Sequence, residues 1–218
     1  MTPLKARILL ADDHAVVRRG LRLVLEAQPD LGVVAEAGDG IEAVQKALAD
    51  DVDLAILDIT MPRLTGLHAA RELRRRRPAV RILMLSMHEN ERYLYEALKV
   101  GACGYVLKTV ADRDLVEACR AALRGERFLY PGAMTPLIAE LLRRADHDLP
   151  LREDPLTPRE QEVVKLIAEG YSGQEIADVL VISAKTVERH RANVLEKLDM
   201  RGRVELTRYA IRRGLIDP

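Results

Sequence analysis

The sequence predicts an α/β domain, built on a five-stranded, doubly wound parallel sheet, followed by a small all-α domain. Three observations support this fold class. Short apolar runs alternate with longer amphipathic stretches from residue 7 to about 125, whereas runs of strand length disappear beyond residue 155. Prolines and a glycine break the pattern in between. A chain of 218 residues has room for two domains of these sizes.

Five apolar runs of strand length define the predicted sheet. Amphipathic stretches with helical periodicity separate them, so each run is predicted to connect to the next through a crossover helix. The runs are almost continuously hydrophobic, which is typical of parallel strands that are buried on both faces of a sheet. They are Arg7–Leu10, Val33–Ala37, Leu54–Leu57, Ile82–Leu85 and Tyr105–Leu107.

The remaining third of the chain is predicted to be helical. Residues 1–125 would form the first domain, 126–153 a linker with one short helix at Leu137–Leu142, and 154–218 the second domain. Thr157 is a predicted N-cap, because a proline and an acidic residue follow it in the first helical turn. The predicted helices of the second domain lie at about 158–169, 172–180, 183–198 and 203–213.

Composition and charge exclude several classes of protein. No apolar run is long enough for a membrane span or a signal peptide, and two cysteines, Cys103 and Cys119, cannot build a disulfide framework. We therefore expect a reduced, cytoplasmic protein. The 34 basic and 34 acidic residues cancel, but residues 185–213 carry nine basic and four acidic side chains. With no Trp and one Phe for stacking on single-stranded bases, this basic stretch favours binding to duplex DNA.

Polar side chains stand where four of the predicted strands end. Asp12 and Asp13 follow the first strand, Asp58 the third, Ser86 the fourth and Lys108 the fifth. The carboxyl ends of parallel strands meet at one edge of an open sheet, so these groups are predicted to converge on one crevice. Three carboxylates favour a bound cation, and oxygen ligands suit Mg²⁺, a common partner of phosphate. Asp58 could then attack phosphorus as a nucleophile while the metal neutralises the incoming phosphoryl group.

These residues lie in motifs that resemble the receiver domain of bacterial two-component response regulators, specifically the NarL/FixJ family with a LuxR-type output domain. The similarity covers essentially the whole chain and implies a flavodoxin-like receiver. The motifs in the first domain are Ala11-Asp12-Asp13-His14, Leu57-Asp58-Ile59-Thr60-Met61-Pro62, Met84-Leu85-Ser86 and Gly104-Tyr105-Val106-Leu107-Lys108.

The resemblance implies a phosphorylation switch in the first domain. Asp58 would be the phosphoacceptor. Lys108 would contact the phosphoryl oxygens, and Ser86 would hydrogen-bond one of them in the active state. Tyr105 occupies the position of the switch aromatic residue, which is expected to turn inward as Ser86 moves.

The resemblance also implies a magnesium site. Asp12, Asp13 and Asp58 would hold Mg²⁺ together with the backbone carbonyl of Thr60. The side chains of Thr60 and His88, two positions beyond Asp58 and Ser86 respectively, are expected to tune the lifetime of the phosphoryl group. Each of these residues alone has a simpler explanation, such as a helix cap or a solvated turn. Their combination at strand ends favours the functional interpretation.

The predicted helix at 183–198 has an apolar face and a polar face. At about 100° per residue, Val187, Val194 and Leu198 fall within about 40° of one another and can pack on neighbouring helices. Ser183 is a predicted N-cap, and the short helix before it completes a helix-turn-helix, whose second helix docks in the major groove. Two strings resemble the LuxR-type helix-turn-helix: Leu156-Thr157-Pro158-Arg159-Glu160-Gln161-Glu162-Val163 and Ser183-Ala184-Lys185-Thr186-Val187-Glu188-Arg189-His190-Arg191.

The resemblance places base contacts on the polar face of this helix, at Glu188, Arg189 and Ala192. Arg189 could bind guanine with two hydrogen bonds, and Glu188 could accept one from a cytosine amino group. Alternatively, Glu188 pairs with Arg191 or Arg189 on the helix surface. Contacts to phosphates, which fix the register without reading the sequence, are predicted for Lys185, Thr186 and Arg191.

The sequence therefore predicts a transcriptional regulator controlled by phosphorylation, and not an enzyme. A histidine kinase would phosphorylate Asp58, and homodimers would then bind paired half-sites on double-stranded DNA, with the helix at 203–213 as a candidate dimer surface. Two other hypotheses stay open. Phosphatases of the haloacid-dehalogenase type also use an aspartate nucleophile with Mg²⁺, but they need a second aspartate where this chain has Thr60. A scaffold that binds DNA constitutively is the other.

Overall fold

A parallel sheet with helices on both faces forms the first part of the chain, and a group of helices forms the second. The computed structural model describes residues 5–87, 91–134, 137–138, 155–180, 182–213 and 215–216. The chain divides into two units, Met1–His147 and Asp148–Pro218. The predicted fold class, an α/β domain followed by an all-α domain, is confirmed.

The strands of the sheet lie in the order β2-β1-β3-β4-β5-β6, and every neighbouring pair is parallel. The chain passes from β1 to β2 on one side and then returns to place β3 on the other side of β1. Ligand sites of doubly wound sheets form at such a switch point, at the carboxyl ends of the strands. The strands are β1 Ala6–Ala11, β2 Leu31–Ala37, β3 Leu54–Asp58, β4 Arg81–Ser86, β5 Gly104–Leu107 and β6 Phe128–Leu129.

Two hydrophobic clusters cover the two faces of this sheet. Successive side chains of a strand point to opposite faces, so Leu9 and Ala11 of β1 lie in one cluster, and Ile8 and Leu10 in the other. Helices α2, α3 and α4 pack on the first cluster, and α1 and α5 on the second. The bounds are α1 Ala15–Glu26, α2 Gly40–Ala49, α3 Gly66–Arg76, α4 Glu91–Lys99 and α5 Ala111–Arg124.

The prediction of five strands is wrong, because a sixth strand extends the sheet. Strand β6 pairs with β5, with Gly104 opposite Phe128 and Tyr105 opposite Leu129. A 3-10 turn at Pro131–Ala133 follows, and Ala133 is fully buried in the first cluster. Residues 126–134, predicted as the start of a linker, therefore belong to the first unit. A strand of two residues is too short to show a period, which is why the pattern missed it. Residues 139–142 of the predicted short helix lie outside the described residues.

The second unit has helices at the predicted places. Thr157 caps the first of them as expected: its hydroxyl accepts from the Glu160 N–H at 3.3 Å, and the Glu160 carboxylate accepts from the Thr157 N–H at 2.8 Å. Gly170 ends that helix with φ of 107°, a conformation that favours glycine. The helices are α6 Pro158–Glu169, α7 Gly173–Leu180, α8 Ala184–Leu198 and α9 Arg203–Arg212.

Gly66, the first residue of α3, lies where a side chain does not fit. A Cβ atom on Gly66 would stand 1.9 Å from the backbone oxygen of Asp58. The Gly66 N–H donates to the Ile59 carbonyl at 2.9 Å, which closes the loop after β3 tightly. The missing side chain at residue 66 therefore lets α3 begin beside the end of β3.

Gly66→Ala is expected to destabilise the first unit by about 1–3 kcal/mol, because the added methyl group displaces the backbone at Asp58. Gly20→Ala is the matched control, since a Cβ there meets no atom within 4 Å on the surface of α1. The control should stabilise the protein by about 0.5–1 kcal/mol through helix propensity. Urea denaturation measures both changes, and equal stability of the two variants would contradict this account of Gly66.

Candidate functional site

The carboxyl ends of β1, β3 and β5 bring three charged side chains into contact. The ammonium Nζ of Lys108 lies 2.7 Å from Oδ2 of Asp12 and 2.7 Å from Oδ2 of Asp58. The exposed fractions of the three side chains are 3% for Lys108, 0% for Asp12 and 4% for Asp58. The crevice predicted from strand ends is therefore present as a buried site in which one cation bridges two carboxylates.

Asp13 and His14 form the open side of this acidic pocket. The ring Nδ1 of His14 lies 2.8 Å from Oδ1 of Asp13, and the His14 side chain is largely exposed. Asp12, Asp13, His14 and Asp58 offer ligand atoms that all lie within 4.8 Å of one another. Three carboxylates at this separation suit a hard divalent cation such as Mg²⁺.

The electrostatics of the pocket also favour a cation. Burial raises the pKa of the Asp58 carboxyl to about 7, although the Lys108 ammonium opposes this shift, while the charges of Asp12 and Asp13 add to it. Burial alone would lower the pKa of Lys108, but the Asp58 and Asp12 carboxylates outweigh it and the net shift is upward. One ammonium does not balance three carboxylates, so a divalent ion would stabilise the charged form of Asp58.

Arg18, in the first turns of α1, holds the main chain of the pocket and was not singled out by the sequence. Its Nη1 donates to the Asp12 carbonyl at 2.5 Å, and its Nε donates to the Glu36 carboxylate on β2 at 3.1 Å. The Asp12 N–H donates to the Ala37 carbonyl at 3.1 Å. The peptide that connects Asp12 to Asp13 is therefore fixed from outside the pocket. A basic residue one turn into the helix that follows an acidic pair was the available signal.

The loop after β3 is fixed in a similar way. Arg63 adopts φ of 62°, which is uncommon for a residue with a side chain, and its guanidinium forms an ion pair with the buried Asp39. Asp39 also caps α2 by accepting from the Ile41 N–H at 2.8 Å. Thr60, whose carbonyl was predicted to bind the metal, lies half-buried in this loop, two residues after Asp58.

Ser86 and Tyr105 lie together beside the pocket. Ser86 ends β4, Tyr105 lies in the neighbouring strand β5, and both side chains are buried. The two hydroxyl groups are hydrogen-bonded, and burial raises the pKa of Tyr105 while this bond opposes the rise. The ring of Tyr105 thus points inward in this structure, and its role as a switch stays a prediction. His88 lies outside the described residues.

Helix α8 of the second unit has the two faces predicted for it. Val187 and Val194 are buried in the core of the unit. The Ser183 hydroxyl caps the helix by accepting from the Thr186 N–H at 3.1 Å. Of the side chains predicted to contact DNA, Thr186 is half-buried and the rest are exposed. The exposed ones are Lys185, Glu188, Arg189, Arg191 and Ala192. Glu188 lies 3.8 Å from Arg191, which is long for an ion pair, so the alternative of a surface pair has weak support.

Two contacts, both missed by the sequence, hold the helix-turn-helix in place. Arg159 of α6 donates to the Leu180 carbonyl at 2.7 Å, at the end of α7. Lys197 of α8 donates to the Glu160 carboxylate at 2.7 Å. Both tie the motif to the helix that precedes it.

In the described part of the chain, no helix has the length and apolar character needed to cross a membrane.

A doubly wound sheet with this pocket, followed by a helix-turn-helix, defines a class of regulators that receive a signal in one domain and bind DNA with another. The profile of the response regulator receiver domain matches residues 8–120, and that of the bacterial regulatory proteins of the luxR family matches residues 154–210. The chain belongs to the response regulators that join a receiver domain to a luxR-type DNA-binding domain.

Relatives of known name and solved structures agree with this assignment. The oxygen regulatory protein NreC of Staphylococcus carnosus is 40% identical over 215 residues, 97% of this chain and 99% of that protein. A LuxR-family response regulator from Aurantimonas is 37% identical, with a TM-score of 0.60, over 63% of this chain and 99% of that one. The structure of RcsB of Salmonella enterica serovar Typhimurium, bound to promoter DNA with the phosphomimetic BeF₃⁻, is 28% identical with a TM-score of 0.61. The match covers 94% of this chain and 98% of that one.

Arg18→Gln is expected to weaken divalent-cation binding roughly tenfold, because the peptide before Asp13 loses its external hydrogen bond. Arg22→Gln is the matched control: Arg22 also donates to Glu36, at 2.5 Å, but its hydrogen bonds in the described structure reach only Glu36 and Glu26. Mn²⁺ titration followed by electron paramagnetic resonance, with Mg²⁺ as competitor, measures both variants. If both lose affinity equally, the shared contact to Glu36 and not the one to Asp12 is responsible.

Proposed function

We propose that Asp58 accepts a phosphoryl group from a partner histidine kinase and that this event controls the DNA-binding domain. The observation that carries the proposal is the buried Asp58 carboxylate, 2.7 Å from Lys108 at the switch point of the sheet. A carboxylate oxygen of Asp58 would form a bond to phosphorus while the bond between phosphorus and the kinase histidine nitrogen breaks. The product is an acyl phosphate on Asp58 and a free imidazole on the kinase.

The surrounding residues have proposed roles in this transfer. Asp12, Asp13 and Asp58, with the Thr60 carbonyl, would hold Mg²⁺, which when bound offsets the charge of the phosphoryl oxygens. Lys108 lies within reach of the same oxygens and would pair with one of them. Phosphoryl transfer needs alignment and charge compensation more than a separate acid or base. The positions of these residues would supply both.

Two residues would report phosphorylation to the rest of the receiver. The Ser86 hydroxyl would donate to a phosphoryl oxygen, and Tyr105, already hydrogen-bonded to Ser86, would follow its position. The charge on Asp58 would thus bias a two-state element, which is the usual form of a phosphorylation switch.

We further propose that the protein is a regulator without enzymatic turnover of its own substrates. Phosphatases with an aspartate nucleophile use a second aspartate two positions later as acid and base, and Thr60 lacks a titratable carboxyl group. The family assignment supports a regulatory role. A protein that acts on bacterial promoters works in the cytoplasm, which we propose as its location.

We propose that residues 154–218 bind DNA and that the first unit carries the phosphoacceptor. The chain between them connects the two functions. Arg189 and Glu188, with Ala192, would face base edges in the major groove, and Lys185, Thr186 and Arg191 would contact phosphates. Val204 and Ile211 of α9 have exposed fractions of 66% and 37%, which supports α9 as the contact between two copies on paired half-sites.

Asp58→Asn is expected to abolish labelling by a small phosphodonor in the presence of Mg²⁺ and to abolish phosphorylation-dependent dimers, because the nucleophilic oxygen is lost. Phosphoprotein gels and the mass in solution would be scored on the same samples. Asp53→Asn, an exposed aspartate before β3, is the matched control and should be labelled like the wild type. A wild type that takes no label would favour the constitutive DNA binder.

Arg189→Ala is expected to cost about 1–3 kcal/mol of discrimination at one base pair, because a bidentate contact to guanine would be lost. Lys185→Ala is the control for a phosphate contact: it should weaken binding to all sequences and reduce the salt dependence by about one ion. Both variants would be measured on sites selected from random DNA by the phosphorylated wild type. Uniform loss of affinity in Arg189→Ala would rule out base reading by this residue.

A further inference from the structure

We propose that Tyr130 is a positioning residue of the receiver: its ring holds Tyr105 in the inward orientation, and Tyr105 in turn holds the Ser86 hydroxyl at the pocket. This inference rests on the proposed phosphorylation of Asp58 and goes beyond it, because Tyr130 lies in the segment that follows the last strand, on the path to the DNA-binding domain.

The contact between the two rings is direct. Their centroids are 6.1 Å apart and their planes are inclined by 40°, a tilted arrangement that suits two aromatic quadrupoles. The exposed fractions are 1% for Tyr105 and 5% for Tyr130, so neither ring is free to move into solvent without losing buried area. Outward rotation of Tyr105 would leave a void beside Tyr130, which a close-packed core resists.

The same contact reaches the phosphorylation site through Ser86. Met84 is opposite Tyr105 in the pairing of β4 with β5, and Ser86 points to the same face two residues later. The Tyr105 hydroxyl therefore meets the Ser86 hydroxyl diagonally across two strands. Asp58 pairs with Leu85, the residue before Ser86. Tyr130, Tyr105 and Ser86 thus form a continuous chain of contacts that ends next to the phosphoacceptor.

Tyr130 is itself fixed on both sides along the chain. Strand β6 pairs Leu129 with Tyr105, and this register fixes the position of the next residue, Tyr130, along β5. The 3-10 turn behind it closes with a hydrogen bond from the Ala133 N–H to the Tyr130 carbonyl at 2.9 Å. A Cβ on Gly132 would lie only 3.0 Å from Cε2 of the Tyr130 ring, so the turn packs closely against the ring. The ring therefore acts as a support for Tyr105 and not as a loose neighbour.

If the Tyr130 ring stabilises the inward orientation of Tyr105, it also strengthens the binding of any ligand that prefers this orientation. Ser86 would donate to the phosphoryl group in the inward state, so removal of the Tyr130 ring is expected to weaken the binding of a phosphoryl mimic. The effect would be on the affinity of the folded receiver, and it differs from a loss of fold stability, which changes the folded fraction only.

The test is the affinity for BeF₃⁻ in the presence of Mg²⁺, measured on the full chain by fluorine NMR of bound and free fluoride. Tyr130→Ala is expected to bind BeF₃⁻ roughly threefold to tenfold more weakly than the wild type. Tyr130→Leu, which keeps apolar volume without a ring, is the second variant and should show the same direction. Tyr130→Phe keeps the ring and should restore most of the affinity.

Phe128→Ala is the matched control. Phe128 is an aromatic residue of the same edge strand, but it packs on the opposite face of the sheet, in the cluster of α1 and α5. It should lower the unfolding temperature, as Tyr130→Ala should, and leave the affinity for BeF₃⁻ unchanged. Fluorotyrosine NMR of Tyr105 gives a second readout, since its resonance should move toward that of exposed tyrosine only when the Tyr130 ring is removed.

Two results would overturn the inference, and they are distinguishable. If Tyr130→Ala and Tyr130→Leu bind BeF₃⁻ as tightly as the wild type, Tyr130 only fills the core. If the wild type itself binds no BeF₃⁻, or binds it equally after Asp58→Asn, the proposed phosphorylation of Asp58 fails, and the role of Tyr130 fails with it.

Discussion

The bridge from Lys108 to Asp12 and Asp58 is the interaction on which the rest of the receiver depends. A carboxylate that is almost fully buried is unfavourable unless it is paired, and here two of them share one ammonium at 2.7 Å each. The ends of β1, β3 and β5 bring the three groups together. The strand order therefore decides the chemistry, because β1 and β3 are neighbours at the switch point.

Much of the surrounding structure holds the backbone that carries these charges. Arg18 fixes the Asp12 carbonyl, and Gly66 lets α3 begin against the Asp58 carbonyl. Arg63 accepts an uncommon backbone conformation in the loop after β3, next to a buried partner, Asp39. These contacts lie outside the acidic pocket. We infer that they preorganise the pocket: they fix the backbone at the carboxylates, so that binding of a cation would not have to order it.

The sequence predicted the pocket because strand ends are visible as apolar runs that stop at a charge, as at Leu57 and Asp58. It predicted the faces of α8 because Val187 and Val194 repeat at helical spacing. It did not predict β6, whose two residues are too few to show a period. Tyr130 was missed because its partner Tyr105 is 25 residues earlier and only the folded register brings the two rings together. Arg18 follows Asp12 by six residues, but one basic residue in a helix does not by itself indicate a hydrogen bond to a main-chain carbonyl.

The bridge also gives a reason why, in the proposed mechanism, a cation and a phosphoryl group would act together at this site. Lys108 already contacts two carboxylates, so an ammonium that turns toward phosphoryl oxygens leaves Asp12 with less compensation in a buried place. A divalent ion held by Asp12, Asp13 and Asp58 would supply the missing charge. This redistribution of charge would be local. However, Asp58 is opposite Leu85 in the pairing of β3 with β4, Ser86 is the next residue, and its hydroxyl is hydrogen-bonded to Tyr105. In the proposed switch, a change of charge at Asp58 would therefore reach Tyr105 and the Tyr130 ring beside it as a change in packing.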